Sequence, residues 1–280
     1  MRIVRDLPTL RAETEKLGPI ALVPTMGALH EGHISLVRAA RRQAAAMGGA
    51  VAASIFVNPL QFGPNEDLSR YPRDEEGDLR ALEAAGCDLA WLPSVGVMYP
   101  PDRATVIDVA GPSEGWEGTA RPGHFRGVAT VCAKLFLQTG ARAALFGEKD
   151  WQQLQVVRRM ASDLDMPLRI LGCPTVREAD GLAMSSRNRF LSAGERAKAP
   201  LVFEALTKVA ATLRDGRMAE PVLAEAGARL TAAGFAVDYL ALVEAETLRP
   251  IRRGPGRLVV AARLGSVRLL DNLAAELAVA

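Results

Sequence analysis

Short, fully apolar runs separated by longer amphipathic stretches fill the first 171 residues of this chain, and that alternation narrows its fold more than any other feature. Ile20-Ala21-Leu22-Val23 ends at Pro24, and Val51-Ala52-Ala53-Ser54-Ile55-Phe56-Val57 stops at Asn58-Pro59. Leu89-Ala90-Trp91-Leu92 ends at Pro93, Ala143-Ala144-Leu145-Phe146 at Gly147, and Leu168-Arg169-Ile170-Leu171 closes the series. Between them, residues 33–47, 74–86, 128–137 and 152–160 are expected to be helical. A strand without polar alternation must be covered on both faces, and strands alternating with helices pair in parallel. The expectation is an α/β fold with a Rossmann-like doubly wound parallel sheet. In such sheets the ligand site lies beyond the carboxyl ends of the strands.

The texture changes after about residue 176. Residues 193–233 are alanine-rich and helical in pattern, while 235–243, 258–264 and 267–270 alternate like half-exposed strands. A first domain over 1–176 and a smaller α+β domain over 177–280 are expected. The segments 62–77 and 111–123 are the expected loops, and the first of these is a candidate lid.

Lys plus Arg number 34 against 32 Asp plus Glu, a balance that does not suggest bulk nucleic-acid binding. The pairs Arg41-Arg42, Arg158-Arg159 and Arg252-Arg253 are expected to be solvated. The three cysteines lack CxxC spacing, which argues against a disulfide scaffold or zinc ribbon. The start, Met1-Arg2-Ile3-Val4-Arg5-Asp6, has no apolar leader-like stretch, and no window approaches the ~20 apolar residues of a membrane helix. A cytoplasmic protein with no membrane association is therefore expected.

The chemistry-bearing residues follow strand ends. Two of the three histidines stand three apart in Met26-Gly27-Ala28-Leu29-His30-Glu31-Gly32-His33. A helix starting there presents unpaired N–H groups to phosphate, and the imidazoles can donate to phosphate oxygens. A metal pair is the competing reading, but no further Cys/His cluster supplies the remaining ligands. Gly147-Glu148-Lys149-Asp150 again opens a helix after a strand. Lys149 is a point charge for phosphate, and Glu148 or Asp150 can help hold magnesium–nucleotide; an acidic helix start explains the same residues more plainly. Met184-Ser185-Ser186-Arg187 offers hydroxyls and a guanidinium, or is simply a capping turn before the helix near residue 193. Asn58 and Gln61 lie at another strand end, and Arg121-Pro122-Gly123-His124-Phe125-Arg126-Gly127 holds the last histidine, which reads equally well as structural or functional. Neither GxxxxGK[ST] nor GxGxxG occurs, which disfavours a P-loop kinase or a nicotinamide dehydrogenase.

Taken together, these runs resemble the pantothenate synthetase (pantoate–β-alanine ligase) family, part of the HIGH-type nucleotidyltransferase superfamily. Pro24-Thr25-Met26-Gly27 leading to His30-Glu31-Gly32-His33, Phe56 to Phe62, Arg121 to Gly127, Phe146 to Asp150, and Ser185-Ser186-Arg187-Asn188 match it in order and spacing. The match is strong to about residue 192 and looser through Asp271-Asn272. His30 to His33 looks like the HIGH motif, and Met184 to Arg187 stands where the KMSKS-type loop does.

The resemblance implies condensation of pantoate with β-alanine at the expense of ATP, through a pantoyl adenylate. It implies that His33 is the proton donor, and His30 and Lys149 are the further catalytic candidates. Met26 to His33, Gly147 to Asp150, Val176 and Met184 to Arg187 fall on ATP positions. Gln61 falls on a pantoate and β-alanine contact, Gln153 on a pantoate contact, and Asn58 is a further substrate candidate. Magnesium accompanies ATP, and a homodimer joined through the first domain is implied. One departure is Trp151, where Phe or Tyr is expected; it is expected to pack behind the Lys149 turn. A second is the approach to the first motif, residues 11–20, which looks shorter than usual. The rivals are a nucleotidyltransferase that stops at an adenylated product, which lacks the Asn58–Gln61 and Arg121–Gly127 runs, and a catalytically dead nucleotide-binding regulator, against which the intact His30, His33, Lys149 and Ser185–Arg187 speak.

Overall fold

A computed structural model describes residues 1–63, 66, 68–252 and 255–275. The chain divides into two compact units, Met1–Glu148 with Gln153–Pro174, and Lys149–Gln152 with Thr175–Ala280.

The first unit runs β1 (Arg2–Val4), α1 (Leu7–Leu17), β2 (Ile20–Thr25), α2 (Glu31–Met47), β3 (Ala50–Ile55), α3 (Glu75–Ala84), β4 (Leu89–Trp91), α4 (Val95–Met98), α5 (Trp116–Ala120), α6 (His124–Thr139), β5 (Ala141–Gly147), α7 (Trp151–Asp163) and β6 (Arg169–Cys173). Its six strands are ordered β1-β4-β3-β2-β5-β6, with every pairing parallel. The chain therefore winds outward from β2 through β3 and β4 on one side, and from β5 to β6 on the other. The order reverses between β2 and β5, the switch point beyond whose carboxyl ends open α/β sheets place their ligands. The Met26–His33 and Gly147–Asp150 runs follow these two strands.

The apolar runs form strands because both faces are covered. Ala21, Val23, Val51 and Ala53 lie in one cluster with Leu36, Val37, Ala40 and Ala44 of α2. That spacing is the apolar stripe of an amphipathic helix, and each fully buried Leu or Val contributes about 1.5–3 kcal/mol. Pro24, expected to end its strand, lies inside β2 opposite Ser54. The pairing of β2 with β5 reaches only Leu22, so the donor that proline lacks has no ladder to join on that side.

Helix α6 begins four residues before the expected start, after Gly123 with φ 82°. Most of it is buried, which flattens the amphipathic contrast that marks a helix in sequence. The segment 111–123, expected to be loop, carries α5, and α3 begins inside the expected loop 62–77. Of the candidate lid, Pro64, Asn65 and Asp67 lie outside the described residues; Leu68–Arg70 forms one 3-10 turn, and Tyr71 is buried edge-on against Phe62. Arg41, expected to be solvated, donates to Asp88 at 2.8 Å. Arg253 lies outside the described residues.

The second unit contains α8 (Ala193–Lys198), α9 (Leu201–Arg214) and α10 (Ala219–Ala232), then β7 (Ala236–Val243), β8 (Gly256–Leu264) and β9 (Val267–Ala275) in an antiparallel sheet of order β7-β8-β9. Leu206, Val209 and Leu213 of α9 share its core with Val222 and Leu230 of α10 and Leu258 and Val260 of β8. Among the described residues, no helix is long and apolar enough to cross a membrane.

Candidate active site

The turn after β2 is held from three sides. Thr25 Oγ1 donates to the Ser54 carbonyl at 2.7 Å and accepts from Gly27 N at 3.2 Å. Asp78, buried on α3, accepts from Ala28 N at 2.9 Å and Leu29 N at 2.7 Å. Gly27 has φ 78°, and a Cβ there would lie 2.7 Å from Asp78 Oδ2, so only glycine fits this turn. Asp78 was missed in the sequence, although a carboxylate four residues before Leu82, on its apolar face, is a readable signal.

The two histidines cap the helix that follows. His30 precedes α2 and its Nδ1 accepts from Gly32 N at 3.1 Å, while His33 Nδ1 accepts from His30 N at 3.3 Å. Their ring centroids lie 4.1 Å apart. Since each Nδ1 accepts a backbone N–H, each neutral ring carries its proton on Nε2. The cap thus fixes two Nε2–H donors at a positive helix end, the arrangement that suits charge leaving phosphate.

Gln61 comes from the 3-10 turn Pro59–Gln61 after β3. Its Nε2 lies 3.1 Å from Met26 Sδ, and its Oε1 accepts from Asn58 Nδ2 at 3.0 Å. Asn58 is completely buried. Its Nδ2 also donates to Gly127 O at 3.1 Å, and its Oδ1 accepts from Leu60 N at 3.2 Å and Tyr99 Oη at 2.8 Å. Two donors and two acceptors are thereby satisfied inside the protein. The expected contact of Asn58 with substrate has no atom left to make it; Asn58 positions Gln61.

The Arg121–Gly127 run has the same task. His124 is buried, with Nδ1 2.9 Å from Gln61 O and Nε2 3.1 Å from Arg121 Nη1. A guanidinium can only donate, so Nε2 accepts and the ring proton on Nδ1 goes to Gln61 O. Burial first, and then the Arg121 charge, push the His124 pKa down to about 4, which keeps the ring neutral. Arg121 also forms a fork on Glu66, at 2.8 and 2.7 Å. Burial alone would raise the Glu66 pKa, but the hydrogen bonds and charge of Arg121 hold it below the usual range. At Gly127 a Cβ would lie 2.3 Å from Leu60 O, so glycine lets α6 press against the Gln61 turn.

Gln153, half-buried on α7, belongs to the first unit, as do Gly147 and Glu148. Lys149 and Asp150 group with the second unit, where Lys149 Nζ lies 3.4 Å from Asp150 Oδ1. Trp151, expected behind the Lys149 turn, lies under the Arg257 guanidinium 3.3 Å from its ring centroid and donates through Nε1 to Ala245 O at 2.6 Å. An indole supplies both the π face and the N–H, and phenylalanine lacks the second.

In the second unit, Met184 N donates to Val176 O at 3.0 Å. Ser185 caps the 3-10 turn Ser186–Phe190, its Oγ accepting from Arg187 N at 3.3 Å. The helix near residue 193 is capped by Ser192 instead, whose Oγ accepts from Glu195 N at 3.3 Å, while Ser185 holds Ser186 and Arg187 on one turn. Among the described residues, no group of three or more His, Cys, Asp or Glu is placed to hold a metal ion.

Residues 2–274 match the family model described as pantoate-beta-alanine ligase. The chain is 58% identical to the pantothenate synthetase of Acidiphilium cryptum, over 98% of this chain and all of that one. It is also 58% identical to that of Granulibacter bethesdensis, over 99% of each. The crystal structure of pantothenate synthetase from Thermus thermophilus superposes with a TM-score of 0.91 at 49% identity, covering 98% of this chain and 99% of that one. That of the pantoate-beta-alanine ligase of Francisella tularensis, complexed with beta-gamma ATP and β-alanine, gives 0.82 at 31% identity, covering 98% and 97%. With its histidine cap, its Gln61 turn and a match along nearly its whole length, the chain belongs to the pantoate-beta-alanine ligase family.

Proposed function

We infer that the enzyme condenses pantoate with β-alanine, using ATP and releasing AMP and pyrophosphate, through a pantoyl-adenylate intermediate. The observation that carries this reading is the two-histidine cap at the β2–β5 switch point, with Gln61 against Met26 beside it. A carboxylate is a poor acyl donor, and joining it to AMP as a mixed anhydride activates it. A pantoate carboxylate oxygen attacks the α-phosphorus while the bond to pyrophosphate breaks. The β-alanine amine then attacks the acyl carbon, AMP leaves with the carboxylate oxygen, and the amine proton is lost.

The Nε2–H groups of His30 and His33 donate to phosphate oxygens as charge builds on them, His33 acting as the proton donor. Lys149 supplies a further cation. Backbone and side chains of Met26 to His33, Gly147 to Asp150, Val176 and Met184 to Arg187 take the nucleotide. Gln61 and Gln153 carry amides that both donate and accept, which suits the hydroxyls and carboxylate of pantoate; Gln61 also meets β-alanine.

The donor set fits a magnesium ion that arrives on the nucleotide, since such ions are held by phosphates, water and one or two carboxylates. Glu148 or Asp150 would offer a carboxylate to it, and the ion would neutralise phosphate charge. The resemblance supports a homodimer, and the need for ATP supports a cytoplasmic location.

Pantoate-dependent exchange of labelled pyrophosphate into ATP, without β-alanine, tests the stepwise reading. Exchange is expected. A full reaction with β-alanine but no exchange without it would overturn the free adenylate. AMP release only on addition of β-alanine separates this enzyme from a transferase that stops at an adenylated product.

A further inference from the structure

We propose that Asp271 and Asn272, adjacent on β9, are positioning residues that set both second-unit segments assigned to ATP. The proposal rests on the assignment of Lys149 and of Met184–Arg187 to the nucleotide.

Neighbouring side chains on a strand point to opposite faces, so one dipeptide can serve two partners. Asp271 is buried, and both its oxygens receive the Arg177 guanidinium, at 2.6 and 2.9 Å. Arg177 Nη1 also donates to Gly181 O at 3.1 Å, and the guanidinium lies 3.7 Å from the centroid of the Phe203 ring. Arg177 bridges Ala183 in antiparallel fashion, and Met184 N donates to Val176 O. Asp271 thus anchors the base of a tight hairpin whose outgoing arm delivers Met184, Ser185, Ser186 and Arg187.

Asn272 serves the other segment. Its Nδ2 donates to Lys149 O at 2.8 Å, and its Oδ1 accepts from Arg257 Nη1 at 3.1 Å. Arg257 in turn stacks on Trp151, two residues beyond Lys149. Asn272 therefore holds the Lys149 backbone directly and the following ring through one guanidinium. The two residues are also joined, since Asp271 Oδ1 accepts from Asn272 N at 2.8 Å. A shift of β9 at this dipeptide would displace the Lys149 ammonium and the Ser185–Arg187 turn together. Misplacing a phosphate-binding group by about 1 Å can cost ~10²-fold in rate.

Asn272→Asp keeps the side chain's size and a partner for Arg257, and it removes the donor to Lys149 O. In pantoate-dependent pyrophosphate–ATP exchange, kcat/KM for ATP should fall by about 10²-fold, with the pantoate KM within about twofold of the parent. In a Lys149→Ala background the same substitution should cost under about threefold, because groups acting through one another are not additive. An unchanged kcat/KM, or an equal loss in both backgrounds, would overturn the role of Asn272. Asp271→Asn, paired with Arg187→Ala, tests the other arm by the same criterion; if it does not fold, Arg177→Lys loosens the fork while keeping the charge. Full exchange by Lys149→Ala alone would overturn the assignment of Lys149 to ATP, and with it the Asn272 arm. That outcome is distinct from additivity in an impaired Lys149→Ala enzyme, which refutes the positioning role alone.

Discussion

His124 Nδ1 lies 2.9 Å from the backbone carbonyl oxygen of Gln61, so a buried neutral histidine fixes the residue assigned to both substrates. The ring's pKa falls from 6.5 to about 4 on folding. Between these values the unfolded chain binds a proton that the folded chain refuses, so stability rises with pH across this window. The contribution is complete above pH ~6.5 and is lost as pH falls towards ~4, with a span of about 3 kcal/mol. Urea unfolding of His124→Asn between those pH values should show a flatter dependence than the parent. Parallel curves would remove His124 as the source.

Gly127→Ala places a methyl group against Leu60 O and Gln61 N. Relieving that overlap should cost about 1–3 kcal/mol of stability. It should also raise the pantoate KM more than the ATP KM, because the displaced turn carries Gln61. Equal effects on the two substrates would count against this placement.

His33→Ala should slow adenylation by ~10²–10³-fold, the usual loss for a donor to transition-state charge. The capping bond is lost as well, at about 1 kcal/mol, and a thermal melt reads that separately. Lys149→Ala should show a similar rate loss without the cap effect. Near-normal turnover in either variant would remove its assigned role.

Gln153→Ala should raise the pantoate requirement much more than the ATP requirement. A site that pairs with substrate hydroxyls can reject analogues lacking them by up to ~10⁴-fold. The preference for pantoate over a deoxy analogue should therefore narrow. Unchanged discrimination would separate Gln153 from pantoate.

Five of the first unit's six strands, and helices α2, α3, α6 and α7, were legible because burial on both faces leaves continuous apolar runs, as in Ile20–Val23 and Ala143–Phe146, whereas the three-residue edge strand Arg2–Val4 is too short to leave one. The motifs were legible because chemistry concentrates at strand ends. What stayed hidden was the partner of each motif. Asp78 meets Ala28 across 50 residues, and Asn272 meets Lys149 across 123. No local pattern encodes such pairings. Asn58 looked like a substrate contact for the same reason: a polar side chain at a strand end reads alike whether its partners are Gly127 and Tyr99 or a ligand. Pro24 misled because the reach of the β5 ladder decides whether a strand tolerates proline, and that reach is a property of the sheet.

In this reaction a pantoate carboxylate oxygen bonds to the α-phosphorus of ATP. Pantoate labelled with ¹⁸O in its carboxylate, turned over with ATP and β-alanine, tests this most directly by mass spectrometry of the phosphorus products. One labelled oxygen should appear in AMP, and pyrophosphate should stay unlabelled. Label in pyrophosphate or inorganic phosphate, or AMP free of label, would contradict the account.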